Sequence, residues 1–323
     1  MKRKRFMGLA LGCLCLMLSI SSSAFATSEG DGINELTTSA KSILVDEVGV
    51  SQEELEGLPS SAQPTEAELN AYLTSAGYPA NVISLFELDT KVNLYNNQGT
   101  FVGIEETVGN LVEGKDGQLS LTVAPRSLAN FTGSLVGSSI TAPSGYKKFL
   151  LDYYWDWKYQ PNYTLTDKFG ISWSDDFDAI PATAVYNYKA IHNGNQLPHT
   201  YCEKATGNIS TYTDYTIKKG IGWSADIIQS YISPTCKDDN GLTGNNFSTE
   251  EHKGWGEVAI QKAITTPGQK MSSAAVADYF HKQGAVTGSL SFNPITGSVT
   301  IEIAGSTNYD KSPDIAYQWN WTQ

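Results

Sequence analysis

One stretch of the chain occurs twice. Thr166-Asp167-Lys168-Phe169-Gly170-Ile171-Ser172-Trp173-Ser174-Asp175-Asp176 returns fifty residues later as Thr216-Ile217-Lys218-Lys219-Gly220-Ile221-Gly222-Trp223-Ser224-Ala225-Asp226, with seven of the eleven positions identical. A match of that density at a fixed offset marks a structural repeat. In both copies the bulky residues fall two apart (Phe169, Ile171, Trp173; Ile221, Trp223), with Gly or Ser between them. Period two is the signature of a β-strand with one packed face and one lean face. The two copies, 166–176 and 216–226, are therefore expected to be equivalent strands of one antiparallel domain.

The same alternation fills the chain from about residue 98 to 323. Leu119, Leu121 and Val123 form one alternating set, Phe149, Leu151, Tyr153, Trp155, Trp157 and Tyr159 a longer one, and Ala184, Tyr186, Tyr188 and Ala190 a third. Leu290 and Phe292 lead through Asn293–Gly297 into Val299, Ile301 and Ile303, which reads as a hairpin, and the chain closes on Tyr317, Trp319 and Trp321. Turn signals such as Pro143-Ser144-Gly145, Asn193-Gly194 and Pro267-Gly268 separate these sets. Short strands at regular spacing predict a mainly β fold, an antiparallel β-sandwich or open barrel. One exception is expected near 273–283. There Ser273 looks like a cap, Ala275, Val276, Tyr279 and Phe280 lie on one helical face, and Gly284 stops the run.

The front of the chain differs. Lys2, Arg3, Lys4 and Arg5, the apolar run Phe6–Ile20 and Ala24-Phe25-Ala26 have the layout of a signal peptide, 1–26, cleaved after Ala26. Residues 27–70 then carry ten acidic side chains and one basic one. The segment 27–97 is expected to be partly disordered and partly helical. Capping boxes at Ser51/Glu54 and Thr65/Glu68 and an amphipathic pattern over Asn81–Tyr95 support its helices. Its charge also suits a removable pro-region or tether.

Removal of the leader leaves 18 basic and 34 acidic side chains, a net charge of −16. A surface that acidic repels phosphate backbones, so a nucleic-acid partner is not expected. No later stretch approaches ~18 uninterrupted apolar residues, so no transmembrane helix is expected in the mature chain. Cys13 and Cys15 leave with the leader, and the remaining pair, Cys202 and Cys236, is expected to form a disulfide in an oxidising compartment. The expected location is extracellular, with cell-envelope association open.

Chemistry has fewer handles. All seven Trp and fourteen of seventeen Tyr lie between Tyr146 and Trp321. Such rings either fill a core or form a platform on which sugars stack. Alternation turns the odd positions of 149–159 inward and leaves Tyr154 facing the other way with Asp152, Asp156 and Lys158. Tyr154, Trp173 and Trp223 are accordingly the candidate ligand-binding residues. Asp175, Asp176 and Asp178 cluster after Trp173, and Asp226 occupies the repeat position of Asp176. Asp176 and Asp226 could act as the acid and nucleophile of a glycan hydrolase, or share a Ca²⁺ ion, if the fold held them close. No pair of His has metal-binding spacing, and neither a nucleophile elbow nor a phosphate loop is present. No cofactor is expected, and an enzyme is not the leading expectation. The sequence points first to a secreted, non-catalytic β-domain that binds a surface or environmental ligand, glycan before protein. A glycan hydrolase is the alternative and a membrane-active β-protein the second alternative.

Overall fold

Twelve of the strands assemble into two sheets joined face to face. The structure, a computed structural model, describes residues 63–106, 111–113, 119–121, 128, 130–158, 165–174, 177–193, 201–234, 236, 243–244, 246–285, 287–295, 298–305 and 308–323. The expected signal peptide, the acidic stretch to residue 62 and Asp175–Asp176 lie outside the described residues. The chain divides at Pro64, and Thr65–Gln323 form one unit.

That unit begins with helices α1 (Glu66–Ser75), α2 (Ala80–Ile83) and α3 (Leu88–Asn96). Strands β1 (Thr100–Glu106), β2 (Leu111–Glu113), β3 (Leu119–Leu121), β4 (Phe131–Ile140), β5 (Tyr146–Trp157), β6 (Thr166–Trp173) and β7 (Asp178–Asn193) follow. Next come β8 (Tyr201–Ala205), β9 (Asp214–Thr216), β10 (Gly220–Asp226), β11 (Ser230–Ile232), β12 (Asn246–Ser248) and β13 (Glu251–Ala263). The chain ends with β14 (Lys270–Lys282), β15 (Leu290–Ile295), β16 (Ser298–Ile303), β17 (Tyr309–Lys311) and β18 (Ile315–Thr322). The first sheet has the order β1-β4-β5-β13-β7-β8; the second is β17-β14-β6-β10-β9, with β18 also paired to β14. Every pairing is antiparallel, and among the described residues no barrel closes.

The repeat lies in the middle of the second sheet, and its copies pair with each other. Ile171 stands directly opposite Ile221, Gly170 opposite Gly222 and Phe169 opposite Trp223. Because Ile171 and Ile221 are themselves repeat equivalents, a local half-turn between them relates the two strands. Their bulky residues all point into the sandwich, where Phe169, Ile171, Trp173, Ile221 and Trp223 are completely buried. They meet Phe149, Leu151, Tyr153, Trp155 and Trp157 of β5, Tyr186 and Tyr188 of β7, and Tyr317, Trp319 and Trp321 of β18. Ring pairs such as Phe149–Trp319 at 5.5 Å and Trp155–Phe169 at 5.8 Å cross from sheet to sheet. Gly256 on β13 makes room for one of these rings, since a Cβ there would stand 2.6 Å from the Trp223 ring. All seven tryptophans are buried. The aromatic wealth of the sequence is therefore core.

Both outer faces are also covered. The lean face of β6 and β10 receives the β15–β16 hairpin, with Leu290, Phe292, Ile301 and Ile303 clustering against Val276 and Phe280 of β14. A Cβ at Gly220 would meet the Phe292 ring at 2.3 Å, and one at Gly222 would meet Leu290 Cδ1 at 2.4 Å. The glycines of the repeat thus seat the hairpin. Over the first sheet lie the helices. Leu73, Tyr78, Val82, Ile83, Phe86 and Leu94 pack on Val136, Ile140, Leu150, Tyr154, Trp255 and Ala259.

Two expectations are corrected. The segment 273–283 is not a helix but part of β14, a central strand between β6 and β18. Ala275, Ala277 and Tyr279 face the sandwich core while Val276 and Phe280 face the hairpin, so burial on both sides mimics a helical apolar face. Asn81–Tyr95 is two helices, broken between Ile83 and Leu88. The capping box at Thr65/Glu68 is present in full: Thr65 N–H donates to Glu68 Oε2 at 2.8 Å, and Glu68 N–H to Thr65 Oγ1 at 3.3 Å. The box at Ser51/Glu54 lies outside the described residues.

Candidate functional site

The helices do not cover the whole outer face of the first sheet. Where they stop, a cleft of about 240 Å³ remains, walled on one side by Ser84, Leu85 and Glu87 and floored by β4, β5, β13 and β7. The even positions of β5 point here, as their parity requires. Tyr154 lies opposite Trp255 across the β5–β13 pairing, and Asp156 opposite Lys253. Tyr154 was expected on an exposed face, but it is only 7% exposed, because Phe86 packs on its ring at 5.9 Å. It forms part of the cleft floor with Trp255.

The rim is charged and internally paired. Lys253 Nζ lies 2.6 Å from Glu251 Oε1 and 3.6 Å from Asp156 Oδ2. Lys189 Nζ lies 2.8 Å from Glu87 Oε1 and 3.9 Å from Glu203 Oε1. Burial, with the charge of Glu251 behind it, pushes the Asp156 carboxyl up from its ordinary value. Burial pulls the Lys253 ammonium down, but Glu251 and Asp156 together raise it on balance. Around these two lysines stand four carboxylates, so the rim keeps a net negative charge. Four buried polar atoms of lining residues, Trp155 Nε1, Asp156 Oδ1, Asn187 Oδ1 and Trp255 Nε1, have no hydrogen-bond partner among the described residues. The Asn187 amide donates to Asn208 Oδ1 at 3.2 Å, and Asn208 in turn to Asp89 Oδ2 at 2.6 Å, which ties the cleft to α3.

The other sequence candidates lie elsewhere. Trp173 and Trp223 are sealed in the core, Trp173 with its Nε1–H donating to Phe177 O at 3.1 Å, and no sugar reaches either ring while the sandwich is closed. Asp226 is exposed at the end of β10, where it accepts from Thr166 Oγ1 at 2.5 Å. Asp178 is the first residue of β7, in the other sheet, 3.7 Å from Lys218 Nζ in the turn before β10. The half-turn between the repeats sends the equivalent ends of β6 and β10 in opposite directions. Asp176 lies outside the described residues. Among the described residues no group of three or more His, Cys, Asp or Glu is placed to hold a metal ion, and no helix is long and apolar enough to cross a membrane. Cys202 and Cys236 form the expected disulfide, with Cα atoms 5.9 Å apart.

Sequence reasoning identified Tyr154 and the parity of Asp156 but not Lys253, Trp255 or Asn187. Alternation over 251–263 was the available signal. It is weak because Gly254 and Gly256 occupy inward positions and both faces of β13 are buried.

Neither a protein-family model nor a curated protein matches the chain. Among solved structures it is similar to a pore-forming protein, at 11% identity and a TM-score of 0.26, over 66% of this chain and 94% of that one. It is also similar to Clostridium perfringens delta-toxin, at 8% identity and a TM-score of 0.21, over 69% and 92%. A third is AvmM, which catalyzes macrocyclization in alchivemycin A biosynthesis, at 9% identity and a TM-score of 0.21, over 67% and 96%. Likeness at this level carries no argument about what the chain does.

Proposed function

We propose that the chain is an exported, non-catalytic β-protein that holds a small neutral glycan in the cleft beside the helices. The observation that carries this reading is the composition of the rim. Two lysines held by four carboxylates above a Tyr154–Trp255 floor offer charged donors and acceptors side by side. Sugar hydroxyls both donate and accept, and hydrogen bonds to ionised groups are the stronger kind. The surplus negative charge disfavours phosphorylated or carboxylated ligands. A few polar groups converging on a concave, partly aromatic surface is the usual form of a small-molecule site. Export is supported by the signal-peptide layout of residues 1–26 and by the Cys202–Cys236 disulfide, which persists in oxidising compartments.

The test is a glycan array followed by calorimetric titration of the hits. A neutral glycan should bind; Lys253→Ala should weaken it about 10-fold or more, the loss of one charge-assisted hydrogen bond, and Asn187→Ala about 2- to 10-fold, the loss of a neutral one. Absence of any glycan hit, or hits unaffected by both substitutions, removes the proposal.

A further inference from the structure

A second polar feature lies under the helices, apart from the cleft. Asp152 on β5 and Glu257 on β13 stand opposite each other on the outer face of the first sheet, 0% and 4% exposed. Asn93 of α3 reaches down to them, its Nδ2–H donating to Glu257 Oε1 at 2.6 Å, and the Tyr154 hydroxyl beside them donates to Thr90 Oγ1 at 3.5 Å. Among the described residues neither oxygen of Asp152, nor Glu257 Oε2, has a hydrogen-bond donor at ordinary distance, although the Thr90 hydroxyl lies beside Glu257. An ionised carboxylate can only accept, so two ionised acids here would leave three buried oxygens unsatisfied. The carboxyls are near enough to bond to each other, and a proton on the pair turns Asp152 into a donor to Glu257. Two acids confined together commonly share one proton in this way.

We propose that the Asp152–Glu257 pair, protonated in the folded protein, is a pH-sensitive latch that holds the helical layer on the first sheet and loosens as pH rises. The surroundings offer a second charge little help. Asp89 on α3 repels a charge on Glu257. Among the described residues, Glu87, the N-cap of α3, and the phenols of Tyr78 and Tyr154 are the other titratable groups near the pair, and burial raises both phenols, keeping them neutral. Lys91, the cation of α3, is engaged by Glu66 at 2.6 Å. Burial and the neighbouring Glu257 charge push Asp152 well above its ordinary value, and burial pushes Glu257 up to about 7. Both shifts are upward, so the closed form binds more protons than an open one in which each acid titrates near about 4. The closed form is favoured in acid, loses its advantage as pH climbs from about 4 through about 7, and levels off once both acids are ionised.

Hydrogen exchange on the intact chain, corrected for intrinsic rates, tests the latch. Between about pH 5 and about pH 8 the protection of α1 and α3 should fall, by up to ~10-fold per pH unit for each proton released, while that of β10, which carries no buried titratable side chain, holds. Asp152→Asn keeps a donor where the protonated acid stood and should flatten the dependence. Glu257→Gln is the second, independent way to remove a charge from the pair and should flatten it too. Equal protection across the range, a loss shared equally by β10, or an undiminished slope in both variants overturns the proposal.

Discussion

The two outer faces of the sandwich are closed in opposite ways. On the second sheet the β15–β16 hairpin lies on Gly220 and Gly222, and apolar side chains meet with no gap even for a methyl group. On the first sheet the helices bring an apolar cluster of their own, but beneath and beside it lie Asp152, Glu257, Lys189 and Lys253. One face is closed tightly by shape, helped by a buried ion pair in which Asp214 holds Lys168 Nζ at 2.6 Å and accepts from Leu290 N–H of the hairpin at 3.1 Å. The other is sealed partly by protons and ion pairs and stops short of closure, which is where the cleft opens. A cover fitted without gaps leaves no room for a ligand, whereas one that stops short of closure can also bind and respond.

Substitutions on each side sharpen this contrast. Phe292, 2% exposed, is the largest plug of the shape-sealed face. Phe292→Ala should cost about 3–5 kcal/mol in chemical denaturation, equally at acidic and neutral pH. A cost that varied with pH would blur the distinction between the faces. Next in size is Gly222→Ala, whose added methyl meets Leu290; overpacking of this kind costs about 1–3 kcal/mol. An unchanged Tm would mean that the hairpin moves aside freely and that shape does not seal that face. Smallest is Thr65→Ala, which removes half of the capping box of α1. It should cost about 1 kcal/mol, with hydrogen exchange faster in α1 but not in β16. Equal acceleration in both would show that the two covers open together.

The parts of this architecture that could be read in advance share one property: a single buried face. β18, whose burial alternates at every residue, is visible as Tyr317, Trp319 and Trp321. The inward rows of β5 and β7 were equally plain. β14 was misread because covers on both sides erase the period of two and leave a spacing that a helix would also produce. The cleft was harder still. It draws Leu85 from a loop, Asn187 from β7, and Lys253 and Trp255 from β13, and no local pattern links residues that only sheet register brings together. Tyr154 could be nominated because its parity was legible; its partner across the strand could not. The buried carboxyl pair was half visible, since Asp152 sits among apolar residues where an acid is costly, but only the pairing of β5 with β13 supplies Glu257.

The half-turn that joins Ile171 to Ile221 has a consequence during biosynthesis. Each copy of the repeated strand is complementary to a near-replica of itself, so before folding either copy is an equally good template for the corresponding segment of a neighbouring molecule. What protects a nascent chain from such cross-pairing is the high effective concentration of its own second copy, fixed by the short stretch of sequence between them.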